Sequence, residues 1–171
     1  MKKRILVATL KGGPGKTTTA WHLALGLARR GHRVAAIDAD PRSQGLDDWY
    51  RLAMAGAGVQ VAPPGMLTVV PWRPVEGRES TGLVPWVEHI ERELSADRIV
   101  IDTGGEHPEI FAQACVLAEQ LICPVGPMTG EQRRMPATLA KAAEVDAHSP
   151  ITVAALLTRV PAPGVGAAAA A

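Results

Sequence analysis

Two lysines five positions apart enclose a glycine-rich segment, Lys11-Gly12-Gly13-Pro14-Gly15-Lys16-Thr17-Thr18. Glycines allow successive backbone N–H groups to turn inward around phosphate oxygens, and the N-terminus of a following helix adds to this effect. The common phosphate loop is G-x-x-x-x-G-K-[ST], and its first glycine would fall at position 10, where Leu10 stands. The segment therefore predicts a variant phosphate-binding loop with an additional lysine at its start.

The members of this loop have distinct expected roles. Lys16 is expected to contact the β- and γ-phosphates of a nucleotide, and the Thr17 hydroxyl is expected to ligate Mg²⁺. Lys11 repels Lys16 unless a polyphosphate neutralises both charges, so the pair indicates a polyphosphate ligand. We expect the whole segment to bind the nucleotide, through Gly12, Gly13, Pro14, Gly15, Lys16, Thr17 and Thr18.

Aspartates follow two other apolar runs. Asp38 and Asp40 come after the run 34–37, and Asp102 comes after the run 99–101. The carboxyl ends of parallel strands border the ligand crevice of an open α/β sheet. We therefore expect Asp102 to hold Mg²⁺ through a water, and Asp38 and Asp40 to face one side because they are two apart on a strand. An ordinary Asp-Pro turn at Asp40 and Pro41 is the alternative.

Apolar runs alternate with helical patterns along most of the chain. This alternation predicts an α/β fold, with a mostly parallel twisted sheet and helices on both faces. Strands are expected at 4–9, 34–41, 66–72, 99–102, 120–125 and 151–158, and helices at 18–30, 46–54, 83–94, 108–118 and 132–147. Gly31 is expected to cap the first helix at its C-terminal end.

The helix expected at 83–94 shows the clearest amphipathic pattern. Its spacing predicts an inward apolar face and an outward charged face. The inward residues are Val87, Ile90 and Leu94, and the outward residues are Glu88, Glu91 and Arg92.

The loop resembles the deviant Walker A motif of the ParA/MinD family of P-loop NTPases, and the resemblance covers nearly all of the chain. It is strongest toward the small plasmid-partition ParA proteins. It implies ATP and Mg²⁺ as ligands, and an ATP-dependent homodimer in which Lys11 reaches the nucleotide of the other subunit. Lys11, Lys16 and Asp40 are then the catalytic residues, with Asp40 positioning the attacking water. Thr17, Asp38 and Asp102 form the metal set, with Asp38 supporting the magnesium and loop network.

The resemblance implies a DNA partition ATPase. Such a protein binds DNA non-specifically, responds to a ParB-like centromere-binding partner and works in the cytoplasm on the nucleoid. Arg133, Arg134 and Lys141 on the helix at 132–147 are candidates for the DNA surface, and an ordinary solvated helix face is the alternative.

Two other functions remain open. The first is a MinD-like positioning ATPase, which needs a C-terminal amphipathic helix for the membrane. No such helix is visible in the sequence, so no membrane contact is expected. The second is a biosynthetic ATP-dependent enzyme, and Lys11 argues against it because those relatives often lack the first lysine.

Composition sets the remaining bounds. The chain has 171 residues and a net charge of +1, which fits one domain and does not suggest a strongly basic nucleic-acid module. We expect an ATPase domain at 1–160 and an Ala/Gly/Pro-rich tail at 161–171, and the alternatives for the domain are a form that is incomplete at its C-terminal end and a reduced variant. The two cysteines, Cys115 and Cys123, are expected to be buried thiols rather than ligands of an iron–sulfur cluster.

Overall fold

The computed structural model describes residues 3–10, 15–56, 62–73, 82–146 and 150–160. The strands are β1 Lys3–Val7, β2 Val34–Ala39, β3 Leu67–Pro71, β4 Arg98–Thr103, β5 Gln120–Val125 and β6 Thr152–Leu157. The helices are α1 Lys16–Arg29, α2 Gly45–Ala55, α3 Leu83–Glu93, α4 Pro108–Leu117, α5 Thr129–Gln132 and α6 Met135–Asp146. The strands form one parallel sheet in the order β3-β2-β4-β1-β5-β6, which confirms the expected α/β fold.

Helices cover both faces of this sheet because its central strands are apolar on both sides. In β1, Leu6 packs into the core shared with α3, α4 and α6, whereas Val7 packs into the core shared with α1 and α2. Ile99 and Val100 divide in the same way in β4. This division follows from the two-residue period of a strand. Each large apolar side chain buried in this way contributes roughly 1.5–3 kcal/mol.

Helix α1 lies close to the sheet through its small side chains. Ala20, Ala24 and Ala28 have no exposed surface and recur every four residues along one helix face. Gly31 has φ 88°, and its amide donates to the carbonyl of Ala28 at 3.0 Å. This is the left-handed position that commonly ends a helix, so the expected C-terminal cap is confirmed.

The single helix expected at 132–147 is wrong. The chain forms the short helix α5, turns at Arg133 and Arg134, and begins α6 at Met135. Pro136 explains the break, because it has no N–H for the carbonyl of Gln132 and its ring would clash with that carbonyl in a continuous helix. Arg133 and Arg134 therefore do not share a regular helix face with Lys141.

The charged face predicted for α3 is also wrong at one residue. Glu91 is 4% exposed, and its Oε2 accepts hydrogen bonds from Arg4 at 2.7 and 3.2 Å. Arg4 lies in β1 and supplies the counter-charge that a buried carboxylate requires. Leu94, expected to face inward, is instead 36% exposed at the end of the helix.

Cys115 and Cys123 are both buried and free, as expected. Burial raises the pKa of Cys115 to about 12 and that of Cys123 to about 11, which disfavours the reactive thiolates. Within the described ranges, no helix combines the length and the apolar run needed to cross a bilayer.

Candidate nucleotide-binding site

The expected site residues that the structure describes gather at the carboxyl edge of the sheet. Strand pairing places Asp38 beside Asp102, and Asp102 beside Val7, the last residue of β1. A cavity of about 350 Å³ opens at this edge. It is lined by Gly15, Lys16, Thr17, Thr18, Asp40, Arg42, Ser43, Thr103, Gly104, Gly105, Glu106 and His107.

Helix α1 begins at this cavity. Gly15 has φ 86° in the left-handed region, and its carbonyl accepts the first helical hydrogen bond, from Thr19 N at 2.9 Å. The expected loop residues Lys11, Gly12, Gly13 and Pro14 lie outside the described residues. Immediately before them, the amide of Leu10 donates to Oγ1 of Thr138 at 3.2 Å. Thr138 is 1% exposed, so a buried side chain of α6 fixes Leu10, the residue that precedes the loop.

Lys16 lines the cavity at the start of α1 and is only 8% exposed. Burial lowers its pKa, and the charges of Asp102 and Asp40 oppose that shift. A partly desolvated ammonium group between two carboxylates is poised to accept an additional anion, because its attraction for phosphate is less screened than at the surface.

Asp102 lies deeper and is 1% exposed. Burial raises its pKa to about 7, the Thr17 hydroxyl opposes the rise through a hydrogen bond, and the charge of Asp38 adds to it. Among the described residues, nothing donates a hydrogen bond to the buried Oδ1 of Asp102. This carboxylate requires a positive partner to remain charged near neutral pH.

The pair of Thr17 and Asp102 fits Mg²⁺. A hydroxyl and a carboxylate oxygen are hard ligands, and Oδ1 of Asp102 accepts no hydrogen bond from the part of the chain that the structure describes. The described part of the chain contains no cluster of three or more His, Cys, Asp or Glu that could hold a metal. Mg²⁺ is ordinarily held by one or two protein groups together with substrate phosphates and waters, so a larger protein cage is not needed.

Asp40 lies just beyond the end of β2, in the loop 40–44 that leads to α2 (the β2–α2 loop). Its Oδ1 accepts a hydrogen bond from Arg42 N at 3.0 Å, and its Oδ2 accepts one from the Ser43 hydroxyl at 2.8 Å. Burial alone would raise the pKa of Asp40, but these hydrogen bonds and the charge of Lys16 outweigh it and lower the pKa. Asp40 therefore presents a charged, oriented carboxylate to the cavity.

Asp38 does not line the cavity. The two aspartates do not lie on one strand as expected, because β2 ends at Ala39 and Asp40 follows it. Its Oδ2 accepts hydrogen bonds from the amides of Leu46 and Asp47, both at 3.0 Å. Burial raises its pKa, and these amide hydrogen bonds act in the opposite direction. In this structure Asp38 satisfies the first free amides of α2 and so anchors that helix beside the site.

The loop 104–107 between β4 and α4 (the β4–α4 loop) lines the cavity together with the β2–α2 loop. Gly104 lies so close to Asp40 that an added Cβ would be 3.0 Å from both its Cγ and its Oδ1. An ion pair between Arg42 and Glu106 joins the two loops.

The sequence reasoning missed Arg42, Ser43 and Thr138. The only local signal was the Asp-Pro-Arg-Ser order, in which an aspartate often binds amides two or three residues later.

A parallel sheet, a lysine and threonine at the start of the first helix, and aspartates at two neighbouring strand ends define a nucleotide-binding α/β protein of the P-loop class. The family model described as "ATPase MipZ" matches residues 3–128. The chain therefore belongs to this family of ATPases, and the resemblance to the ParA/MinD group is confirmed.

Individual relatives agree with this assignment. The chromosome-partitioning ATPase Soj of Thermus thermophilus is 43% identical over 75 residues, which are 44% of this chain and 26% of Soj. The chain thus spans about a quarter of the length of that relative.

Solved structures share the fold. A plasmid partition protein from Borrelia burgdorferi superposes with a TM-score of 0.68 at 16% identity, over 95% of this chain and 82% of that one. Cobyrinic acid a,c-diamide synthase from Mycobacterium smegmatis superposes with a TM-score of 0.73 at 20% identity, over 95% and 76%. The fold alone is therefore common to partition proteins and to a biosynthetic enzyme.

Proposed function

We propose that this chain is a Mg²⁺-dependent ATPase of the partition type. The observation that carries the proposal is the buried Lys16 in a cavity that Asp40 also lines, with the charges of Asp102 and Asp40 both acting on its ammonium group. Two carboxylates and one buried cation suit a ligand that brings both a metal and several phosphates. The synthase from Mycobacterium smegmatis, which shares the fold, has been solved with a bound ATP analogue and magnesium.

Each residue of the site has a separate role in binding the nucleotide, holding the metal or orienting water. Lys16 contacts the β- and γ-phosphates, and Gly15, Thr17 and Thr18 supply the start of α1 to the phosphate oxygens. Thr17 and Asp102 would hold Mg²⁺, which would supply positive charge that neutralises the phosphates. Asp40 orients the attacking water through a carboxylate kept charged by its loop hydrogen bonds.

In the partition role, ATP binding also controls the formation of a dimer that binds DNA. ATP brings two subunits together, Lys11 of each contacts the nucleotide of the other, and the dimer binds DNA non-specifically through phosphate contacts on the nucleoid. A ParB-like centromere-binding protein stimulates hydrolysis and releases the dimer. The match to a chromosome-partitioning ATPase supports this role. Septum site-determining MinD proteins also match the chain, so a MinD-like role is the alternative.

Nucleotide binding by Lys16→Ala tests the core of the proposal. Loss of a buried point charge opposite the phosphates should weaken Mg²⁺-ATP binding by at least about 100-fold, or roughly 2.7 kcal/mol. Isothermal titration calorimetry measures this, and Lys3→Ala, at the opposite edge of the sheet, is the matched control. Near-normal affinity in Lys16→Ala would remove the basis for the whole site.

The partition role has its own test. Retention of non-specific duplex DNA should require ATP and Mg²⁺, should be absent with ADP and should weaken steeply with salt. Hydrolysis that proceeds normally while DNA retention never depends on nucleotide would instead favour a biosynthetic ATPase.

A further inference from the structure

The ion pair between Arg42 and Glu106 has no role in the chemistry assigned above. The two residues lie 64 positions apart, one in the β2–α2 loop and one in the β4–α4 loop. Both line the cavity, and their side chains are 71% and 68% exposed. The pair therefore ties the two loops together where the cavity opens to solvent.

The backbone of Arg42 is fixed although its side chain is exposed. Its amide donates to Oδ1 of Asp40 at 3.0 Å, and the Ser43 hydroxyl holds the other oxygen of the same carboxylate at 2.8 Å. The guanidinium group can consequently change its partner by rotating its own side chain, without movement of the loop.

The charges around the cavity favour such an exchange when a polyphosphate enters. The charges of Asp102 and Asp40 both act on Lys16. Arg42, in contrast, forms its ion pair with Glu106 among the described residues. An exposed ion pair of this kind is weak because water screens it. A phosphate group carries more charge than a carboxylate and matches the planar guanidinium with two parallel hydrogen bonds. A phosphate within reach of Arg42 should therefore displace Glu106.

The position of Arg42 indicates which phosphate it reaches. Its backbone is bonded to Asp40, the residue that orients water at the terminal phosphate in the proposed function. Lys16, in contrast, lines the cavity at the start of α1. It is expected to contact the β-phosphate, which both diphosphate and triphosphate nucleotides carry.

We propose, on the basis of the ATPase function above, that Arg42 binds the terminal phosphate of a nucleoside triphosphate by exchanging it for Glu106. The exchange makes Arg42 a determinant of triphosphate over diphosphate preference, and it makes Glu106 the internal competitor that holds Arg42 when the terminal phosphate is absent.

Calorimetric titrations with ADP and with the non-hydrolysable analogue AMPPNP, both with Mg²⁺, test the exchange. Arg42→Ala should weaken AMPPNP binding by roughly tenfold and change ADP binding by less than about twofold. Glu106→Gln removes the competing charge, so it should tighten AMPPNP binding by about two- to fivefold and leave ADP binding unchanged. Arg92→Ala, an exposed arginine on α3, is the control and should change neither affinity.

The double variant Arg42→Ala/Glu106→Gln isolates the coupling between the two residues. If Glu106 acts by competing for Arg42, Glu106→Gln should have no effect on AMPPNP binding once Arg42 is absent. Equal losses of ADP and AMPPNP affinity in Arg42→Ala, or tightening by Glu106→Gln without Arg42, would refute the exchange. A wild-type chain that binds neither nucleotide would refute the ATPase proposal itself, and the exchange with it.

Discussion

Asp40 shows how a single residue is prepared for chemistry by its neighbours. Hydrogen bonds from Arg42 N and the Ser43 hydroxyl fix both oxygens of its carboxylate and keep it charged. A general base needs this combination of correct charge and fixed direction.

Asp40→Ala should still bind ATP but hydrolyse it at least about 100-fold more slowly. Ser43→Ala keeps the carboxylate and removes only one orienting hydrogen bond, so its rate should fall between those of Asp40→Ala and the wild type. Single-turnover hydrolysis with Mg²⁺ measures both. Unchanged turnover in Asp40→Ala would assign the water-orienting role to another carboxylate, with Glu106 the nearest candidate.

The buried carboxyl of Asp102 should make the stability of the metal-free protein depend on pH. Its pKa is about 7 in the folded state against an ordinary 3.8, so between these values the folded state holds a proton that the unfolded state has lost. The free energy of unfolding should therefore fall as the pH rises from about 4 to about 7. Asp102→Asn cannot ionise, so it should exceed the wild type by roughly 2–4 kcal/mol at pH 8 and equal it near pH 4.

Urea unfolding in the presence of a chelator measures this difference at each pH. Glu93→Gln, on the exposed side of α3, is the control and should keep the pH dependence of the wild type. If Asp102→Asn and the wild type show the same dependence on pH, the buried carboxyl is not ionising in this range.

At the scale of elements, the site depends on how closely two loops approach. The β4–α4 loop reaches Asp40 only because residue 104 has no side chain. The structure thus gives a steric reason for glycine at position 104.

Gly104→Ala should therefore impair hydrolysis more than binding. The added Cβ would lie 3.0 Å from Asp40 Cγ, and this carboxylate cannot move without losing its bonds to the β2–α2 loop. We expect kcat to fall by roughly tenfold or more with little change in ATP affinity. Gly26→Ala is the matched control, because its Cβ would meet nothing within 4 Å on the surface of α1.

Gly26→Ala should leave turnover unchanged and stabilise the protein by about 0.5–1 kcal/mol, as is typical of glycine replacement inside a helix. Steady-state kinetics together with thermal unfolding separates the two effects. Equal turnover in Gly104→Ala and Gly26→Ala would show that the contact with Asp40 has no catalytic consequence.

At the scale of the whole molecule, the doubled lysine motivates the proposed ATP-dependent dimer. Lys11 lies outside the described residues, so its role remains a prediction from the sequence. In the proposed dimer, a γ-phosphate at the interface would offset the repulsion between facing lysines, and ADP lacks that group.

Lys11→Ala should bind ATP as a monomer and fail to form the dimer that the wild type forms with ATP and Mg²⁺. Asp40→Ala, which should bind and assemble but not hydrolyse, is the complementary variant. Light scattering coupled to size exclusion, with ATP and with ADP, measures both. A Lys11→Ala protein that still dimerises on ATP would show that this lysine is not part of the interface.

The sequence by itself determined the features that depend on neighbours along the chain. Strand β1 and the helix that begins at Lys16 follow from local patterns, and so do the aspartates at the ends of β2 and β4. Hydrophobic periodicity and glycine geometry act over a few residues, which is why they are readable without a structure.

Tertiary structure decided the contacts between distant residues. Glu91 is buried because Arg4, 87 positions away, lies opposite it, and Arg42 meets Glu106 only because two strand ends are neighbours in the sheet. Asp38 turns to α2 rather than to the cavity because the first amides of that helix need an acceptor. A side chain's partner across the fold is set by sheet order and register, and no local pattern encodes these.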